Sequence, residues 1–164
     1  MPSAGSPLVV RETLIPEAVA RLAEAPRAYT NSAGIELVLF EPDDEFTMGA
    51  PRHEIGQRAN EFERRVRLTR PFYAAKHETT NGQMAMFRGS RGLAPDEPVS
   101  DVRWGDAAAF ANWLSAKEGL APFYQITGDR VRGFDPTADG YRLLSEAEWE
   151  WLTRKAGRPA RTIF

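Results

Sequence analysis

The stretch Tyr141-Arg142-Leu143-Leu144-Ser145-Glu146-Ala147-Glu148-Trp149-Glu150-Trp151 constrains the fold more than any other part of this chain. A short apolar strand ending runs into a helix start written in capping chemistry. Ser145 can accept from the backbone N–H of Glu148, while the Glu148 side chain reaches back to the N–H of Ser145, a reciprocal capping box. Trp149 and Trp151 then enter the first turns, a large apolar load for a short helix. The pattern predicts a helix from Glu146 to about Ala156 that packs hard, closed by Gly157 and Pro159.

Upstream, short strand patterns alternate with further helix starts. Residues 1–10 are rich in Pro, Ser and Gly, and a short helix is predicted over Pro16–Ala25, with Pro16 at the first helical position and Pro26 as its end. Residues 1–33 thus read as an N-terminal lead-in and 34–164 as the domain proper. Ile35 to Phe40 is a near-continuous apolar run, as in a strand covered on both faces. An acidic turn, Glu41 to Glu45, leads into extended Phe46-Thr47-Met48-Gly49. The polar stretch from Ala50 to Glu63, with Pro51, Gly56 and Asn60, reads as a long surface loop.

Val66 and Leu68 alternate with Arg65, Arg67 and Thr69, the period-2 signature of a strand with one solvated face, and Phe72 to Lys76 forms another strand. Thr80-Asn81-Gly82-Gln83 is a second capping box, opening a helix that carries Met84 and Phe87. A third helix starts near Trp104 to Asp106. Its Ala107, Phe110, Ala111 and Leu114 fall on one face, and Gly119 is its stop. Tyr124 to Ile126 and Arg130 to Arg132 pair as a small hairpin across Thr127-Gly128-Asp129.

Composition closes several routes to chemistry. With 164 residues the chain can bury the core of one domain, and its 42% hydrophobic and 27% charged residues are ordinary for a soluble globular protein. A net charge of −2 with both signs interspersed suggests no nucleic-acid partner. Two His and no Cys leave no disulfide framework, no zinc-ligand spacing and no cysteine nucleophile. No apolar run reaches the roughly 18–20 residues of a membrane span. The N-terminus lacks the charge and apolar run of a secretory signal, so a cytoplasmic location is expected, or a secreted or periplasmic one if a signal was removed.

Four pieces of the chain, in order, resemble the formylglycine-generating enzyme, or sulfatase-modifying factor, family. Phe46-Thr47-Met48-Gly49 is similar to that family's Phe-x-Met-Gly turn. Pro71-Phe72-Tyr73 with Lys76-His77-Glu78-Thr79-Thr80-Asn81 resembles its Phe-Tyr-Ile-x-Lys-x-Glu-Val-Thr-Asn run. Pro98-Val99, Val102-Arg103-Trp104-Gly105-Asp106-Ala107 and Trp113-Leu114 resemble its Pro-Val-x-x-Val-Ser-Trp-x-Asp-Ala and Trp-Leu. Gly140-Tyr141 and the stretch after it resemble Arg-Leu-Pro-Thr-Glu-Ala-Glu-Trp-Glu, with Leu144-Ser145 in place of Pro-Thr. Arg103 stands where the family has a cap Ser, a loss of about 0.5–2 kcal/mol at that helix start. The resemblance spans roughly residues 34–157 and implies an irregular α+β, C-type lectin-like fold.

It also implies what completes the domain. The match covers the N-terminal half of the family domain, so the fold is expected to be incomplete without a C-terminal half. The family's calcium-binding loops and the cysteine pair that handles copper and oxygen lie in that other half, and no residue here matches them. A complementary half or another protein subunit is the expected partner, either as a separate polypeptide or as the rest of a longer product.

The residues offer few sites of their own. His53-Glu54 reads as a solvated loop pair, for lack of a second His at helical spacing. His77-Glu78 reads as a packed, hydrogen-bonded pair before the Thr80 cap. Asp135, Asp139 and Gly140 lack the alternating carboxylates of a calcium loop. Arg64, Arg65, Arg67 and Arg70 form a basic stripe, read as a solvated strand face that could also meet an acidic partner or phosphate. Trp104, Trp113, Trp149 and Trp151 read as core residues, with an aromatic groove as the alternative. The candidate partner-binding residues are Arg64, Arg65, Arg67, Arg70, Trp149 and Trp151, and no catalytic, cofactor or metal residue is assigned. Two functions stand side by side: a non-catalytic structural or binding subunit, or one half of an oxidase that converts a sulfatase-type peptide cysteine to formylglycine.

Overall fold

The computed structural model describes residues 24–58 and 61–154. The helix expected over Pro16–Ala25 lies outside the described residues except for its last two positions. The chain divides into two compact units. One comprises Arg27–Leu39 and Tyr73–Leu144; the other comprises Met1–Pro26, Phe40–Phe72 and Ser145–Phe164. Among the described residues there are seven strands in three small sheets and three α-helices, an α+β architecture. None of these helices is long and apolar enough to cross a membrane.

In the unit around Arg27–Leu39, strands β1 (Ala28–Thr30), β2 (Glu36–Phe40) and β5 (Phe72–Ala75) form a sheet in the order β1-β2-β5. β1 pairs antiparallel with β2 in the register Ala28↔Val38 and Thr30↔Glu36. No periodicity or turn signal marks β1, whose three residues fall in the expected lead-in. So short a segment is extended because β2 supplies its ladder partner. Asn31 makes the intervening turn: its Oδ1 accepts from the N–H groups of Ala33 and Ile35 at 3.0 and 2.9 Å. Leu37 and Leu39 are buried and Val38 is half-buried, so one face of β2 is covered more deeply than the other.

Helix α1 (Asn81–Arg88) starts at the expected Thr80–Gln83 capping box and buries Met84. Helix α2 (Trp104–Lys117) buries Ala108, Phe110, Ala111, Leu114 and Ser115. The buried face is broader than the expected Ala107–Leu114 stripe because α2 serves two clusters. Phe110 and Leu114 join Ile35, Leu37 and Met84, whereas Ala108 and Ala111 join Tyr124. Arg103 at the start of α2 makes no side-chain cap hydrogen bond, as its identity predicts, and its guanidinium donates to Asp106 at 3.2 Å instead. The helix ends in a Schellman motif: Leu120 N–H donates to Ser115 O at 2.8 Å and Gly119, at φ +72°, donates to Ala116 O. β6 (Tyr124–Thr127) and β7 (Arg130–Phe134) then form the expected hairpin, with Gly128 at φ +62° and a register irregularity between Gln125 and Ile126.

In the other unit, β3 (Glu45–Met48) pairs antiparallel with β4 (Arg64–Arg67). Alternation is clean on β3, with Phe46 and Met48 buried and Glu45 and Thr47 exposed. Helix α3 (Glu146–Arg154) contributes Trp151 to the same core, where Phe40 and Phe72 meet its ring edge-on at 6.0 and 6.3 Å between centroids. The Ser145–Glu148 box forms as predicted. Glu148 accepts from Ser145 N–H at 2.8 Å, and Ser145 Oγ accepts from Glu148 N–H at 3.2 Å.

Candidate functional site

Most polar side chains of the signature segments are fasteners. Glu150 of α3 accepts from Gly49 N–H at 2.7 Å, and Arg154, ion-paired to Glu150 at 3.1 Å, donates to Gly49 O at 3.0 Å. Both backbone groups of one glycine are thus gripped by an i,i+4 pair from a helix. Gly49 sits at φ +93°, and a Cβ there would lie 2.5 Å from Phe62 O, so no other residue fits. In the other unit Ser115 does comparable work. Its fully buried Oγ donates to Ala111 O at 2.9 Å and accepts from Tyr141 N–H at 2.8 Å. A Cβ on Gly140 would collide with Ser115 Oγ and Ala121 O. Asn81 donates to Ala94 O at 3.0 Å, and Thr80 and Gln83 close their box.

Tyr141 anchors a second polar knot. Its hydroxyl donates to Glu118 Oε2 at 2.6 Å, while Glu118 Oε1 accepts from Ser32 N–H at 2.8 Å. Burial, and then the hydrogen bond to Glu118, push the Tyr141 phenol well above its ordinary range. Burial works to raise the Glu118 carboxyl, but donation from Tyr141 and Ser32 outweighs it and leaves the group below its ordinary value. Such a phenol is a fixed hydrogen-bond donor.

The expected partner-binding residues separate. Arg64 pairs with Glu146 at 3.5 Å, Arg65 pairs with Glu45 at 3.1 Å, and Arg67 donates to Asp43 O at 3.1 Å. Arg64 and Arg65 are therefore matched by acids of their own unit and Arg67 by a backbone carbonyl, and such solvated pairs contribute little to stability. Arg70 lies beyond the strand and is exposed. Trp151 is buried, and its indole N–H donates to Asp44 at 3.3 Å, whereas Trp149 is 52% exposed. The four tryptophans do not share one fate: Trp113 packs partly against the core, and Trp104 is exposed while meeting Tyr124 edge-on at 5.6 Å.

Asp135 accepts from the N–H and hydroxyl of Thr137, which lowers its pKa, and Asp139 accepts from Ala121 N–H. Both carboxylates thus serve loop structure. His53 and Glu54 are exposed, as expected. Among the described residues no three His, Cys, Asp or Glu side chains come together to hold a metal.

His77-Glu78 corrects the sequence reading. Both are exposed, because the chain turns outward between β5 and α1, so the expected packed, hydrogen-bonded pair does not form. They line a cleft of about 400 Å³ together with Ile35, Glu36, Asp96 and Pro98. Glu36 is held below its ordinary pKa first by the hydrogen bond from Lys76, at 3.0 Å, and then by the charges of Lys76 and His77. Glu78 and Asp96 make no hydrogen bond or ion pair among the described residues. Sequence periodicity had no access to this cleft, which forms where two loops meet. The signal that existed was the excess of carboxylates over cations in Lys76-His77-Glu78 and Asp96-Glu97.

Residues 30–162 match the family described as the sulfatase-modifying factor enzyme 1-like domain. Chaperone protein LppX of Paenibacillus barcinonensis is 34% identical over a 97-residue alignment that covers 49% of this chain and 35% of that protein. Treponema denticola variable protein 1 superposes with a TM-score of 0.59 at 23% identity, over 78% of this chain and 56% of the other. The crystal structure of CarF superposes with a TM-score of 0.56 at 24% identity, over 75% and 57%. At those identities the two structures speak to fold alone. The chain spans about a third of the length of the Paenibacillus relative and a little over half of the two solved chains.

Proposed function

Because the chain belongs to the sulfatase-modifying factor enzyme 1-like domain family, we propose that it is a non-catalytic structural or binding subunit on that fold, completed by another chain or segment. One observation carries this reading: the signature's hydroxyls, amides and carboxylates are held in scaffold bonds, at Gly49, Ser115, Thr80 and Ser145. Groups so engaged hold backbone in place. The exposed Trp149, Trp104 and Phe134 supply apolar surface that a completing polypeptide would cover. A relative named as a chaperone belongs to the same broad class, proteins that act by binding.

The alternative is one half of an oxidase acting on a sulfatase-type peptide cysteine. The word enzyme in the family's description favours it, and the cysteines, calcium and copper would then come with the completing half. Co-purification with intact mass analysis, followed by incubation with a sulfatase-type cysteine peptide, separates the two. A folded complex that leaves the peptide unchanged with and without copper supports the binding reading. A co-purifying segment with paired cysteines, together with conversion of the peptide, overturns it.

A further inference from the structure

We propose that Asn81-Gly82 is a deamidation site masked by the fold, and that its conversion, once the mask opens, releases the 91–98 loop permanently. Asn81 is the one asparagine of this chain followed by glycine. Glycine makes an asparagine labile because, with no Cβ, its backbone nitrogen is open to approach and its dihedrals are free. In the reaction the Gly82 nitrogen gives up its proton to hydroxide and bonds to the Asn81 side-chain carbonyl carbon. The bond from that carbon to Nδ2 breaks, and Nδ2 takes a proton from water and leaves as ammonia. Water then opens the succinimide ring at either carbonyl, leaving aspartate or its β-linked isomer at position 81. Nothing is oxidised or reduced, and water is the only co-reactant.

The groups that must react are tied up. The first N–H groups of a helix have no partner inside it. At the start of α1, Asn81 N–H donates to Glu97 O at 2.9 Å, Gly82 N–H to Pro95 O at 2.8 Å and Gln83 N–H to Thr80 Oγ1 at 3.2 Å. The attacking nitrogen is thus covered by a carbonyl. The leaving amide is held as well, since Asn81 Nδ2 donates to Ala94 O at 3.0 Å. Helical backbone at 81 and 82 also resists the rotation that ring closure needs. The same packing favours glycine here: a Cβ on residue 82 would lie 3.1 Å from Pro95 O and 3.2 Å from Pro95 Cβ.

The mask is local. Residues 91–98 are all exposed, and backbone bonds hold them to α1, with Val99 N–H donating to Thr79 O at 2.9 Å beside them. A segment that buries so little apolar surface opens more readily than the chain unfolds. After conversion the mask cannot close as before. Aspartate at 81 has no N–H to offer Ala94 O and sets a carboxylate against it, while the β-linked isomer lengthens the backbone and displaces Gly82 N–H from Pro95 O.

Incubation of the full chain in mildly alkaline buffer, with peptide mapping of residue 81, measures the conversion, and the urea-unfolded chain is the reference. The folded chain should convert about tenfold more slowly or less. Pro95→Gly loosens the loop without altering either reacting residue; it should speed conversion about threefold and raise hydrogen exchange at the Gly82 amide in step, with protection in α2 showing that the variant folds. Equal rates in folded and unfolded chain, or a rate unchanged in Pro95→Gly, overturn the mask. Converted chain should lose exchange protection at 81, 82 and 99 while keeping it in α2. Protection kept at those three amides, or lost throughout, overturns the release.

Discussion

The two units fasten backbone by different chemistry. In the unit that holds β3, β4 and α3, a glycine is gripped by a charged pair, Glu150 and Arg154, beside an aromatic cluster centred on Trp151. In the unit that holds α1, α2 and the β6–β7 hairpin, a buried hydroxyl on Ser115 and a phenol on Tyr141 do the joining. The first arrangement concentrates stability in one large side chain and tolerates solvent at its polar edge. The second distributes it over hydroxyl groups, one of them bonded to the Glu118 carboxylate, with no room to spare at Gly140.

The sharpest way to break the contrast is Trp151→Ala, which removes the centre of one core at a cost of about 3–5 kcal/mol. Urea denaturation measures the loss, and hydrogen exchange should place it first in residues 40–58, 61–72 and 145–154. Gly140→Ala attacks the other unit through a methyl group with no space. About 3 kcal/mol is expected, and Ser115→Gly in the same chain should return part of it by relieving the collision. Caps give a smaller effect. Ser145→Ala should cost about 1 kcal/mol, while Arg103→Ser, which restores an acceptor at the uncapped start of α2, should add a comparable amount.

The smallest effect is in acid. Glu118 has its pKa lowered in the folded state from an ordinary 4.5, so its contribution is present above that value and is lost as pH falls through the folded pKa. Thermal melts should therefore show a steeper loss below about pH 4.5 in the wild type than in Glu118→Gln. Equal slopes would remove the carboxylate from the Tyr141 knot.

Local chemistry was legible in the sequence. Both capping boxes, the missing cap at Arg103, the hairpin turn at Gly128 and the alternation around Val66 depend on residues within a few positions of one another. Long-range contacts were not, because Glu150 meets Gly49 across 101 positions and Tyr141 meets Ser115 across 26. The fates of Trp149 and Trp151 were open to reading and were missed. Two residues apart on a helix is about 200° of rotation, so both cannot face one core.

Asn112 bears on how the flank of β6 is closed to strand pairing. Its side-chain amide donates to Tyr124 O at 2.7 Å and accepts from Tyr124 N–H at 3.0 Å, engaging both backbone groups of one β6 residue. A single side chain thereby imitates one rung of a third strand. A two-stranded ribbon with open flanks invites pairing with its neighbours in solution and growth into fibrous aggregates. Here that rung is already occupied, so the hairpin presents an interrupted template at Tyr124, and the interruption comes from a helix side chain rather than from the ribbon.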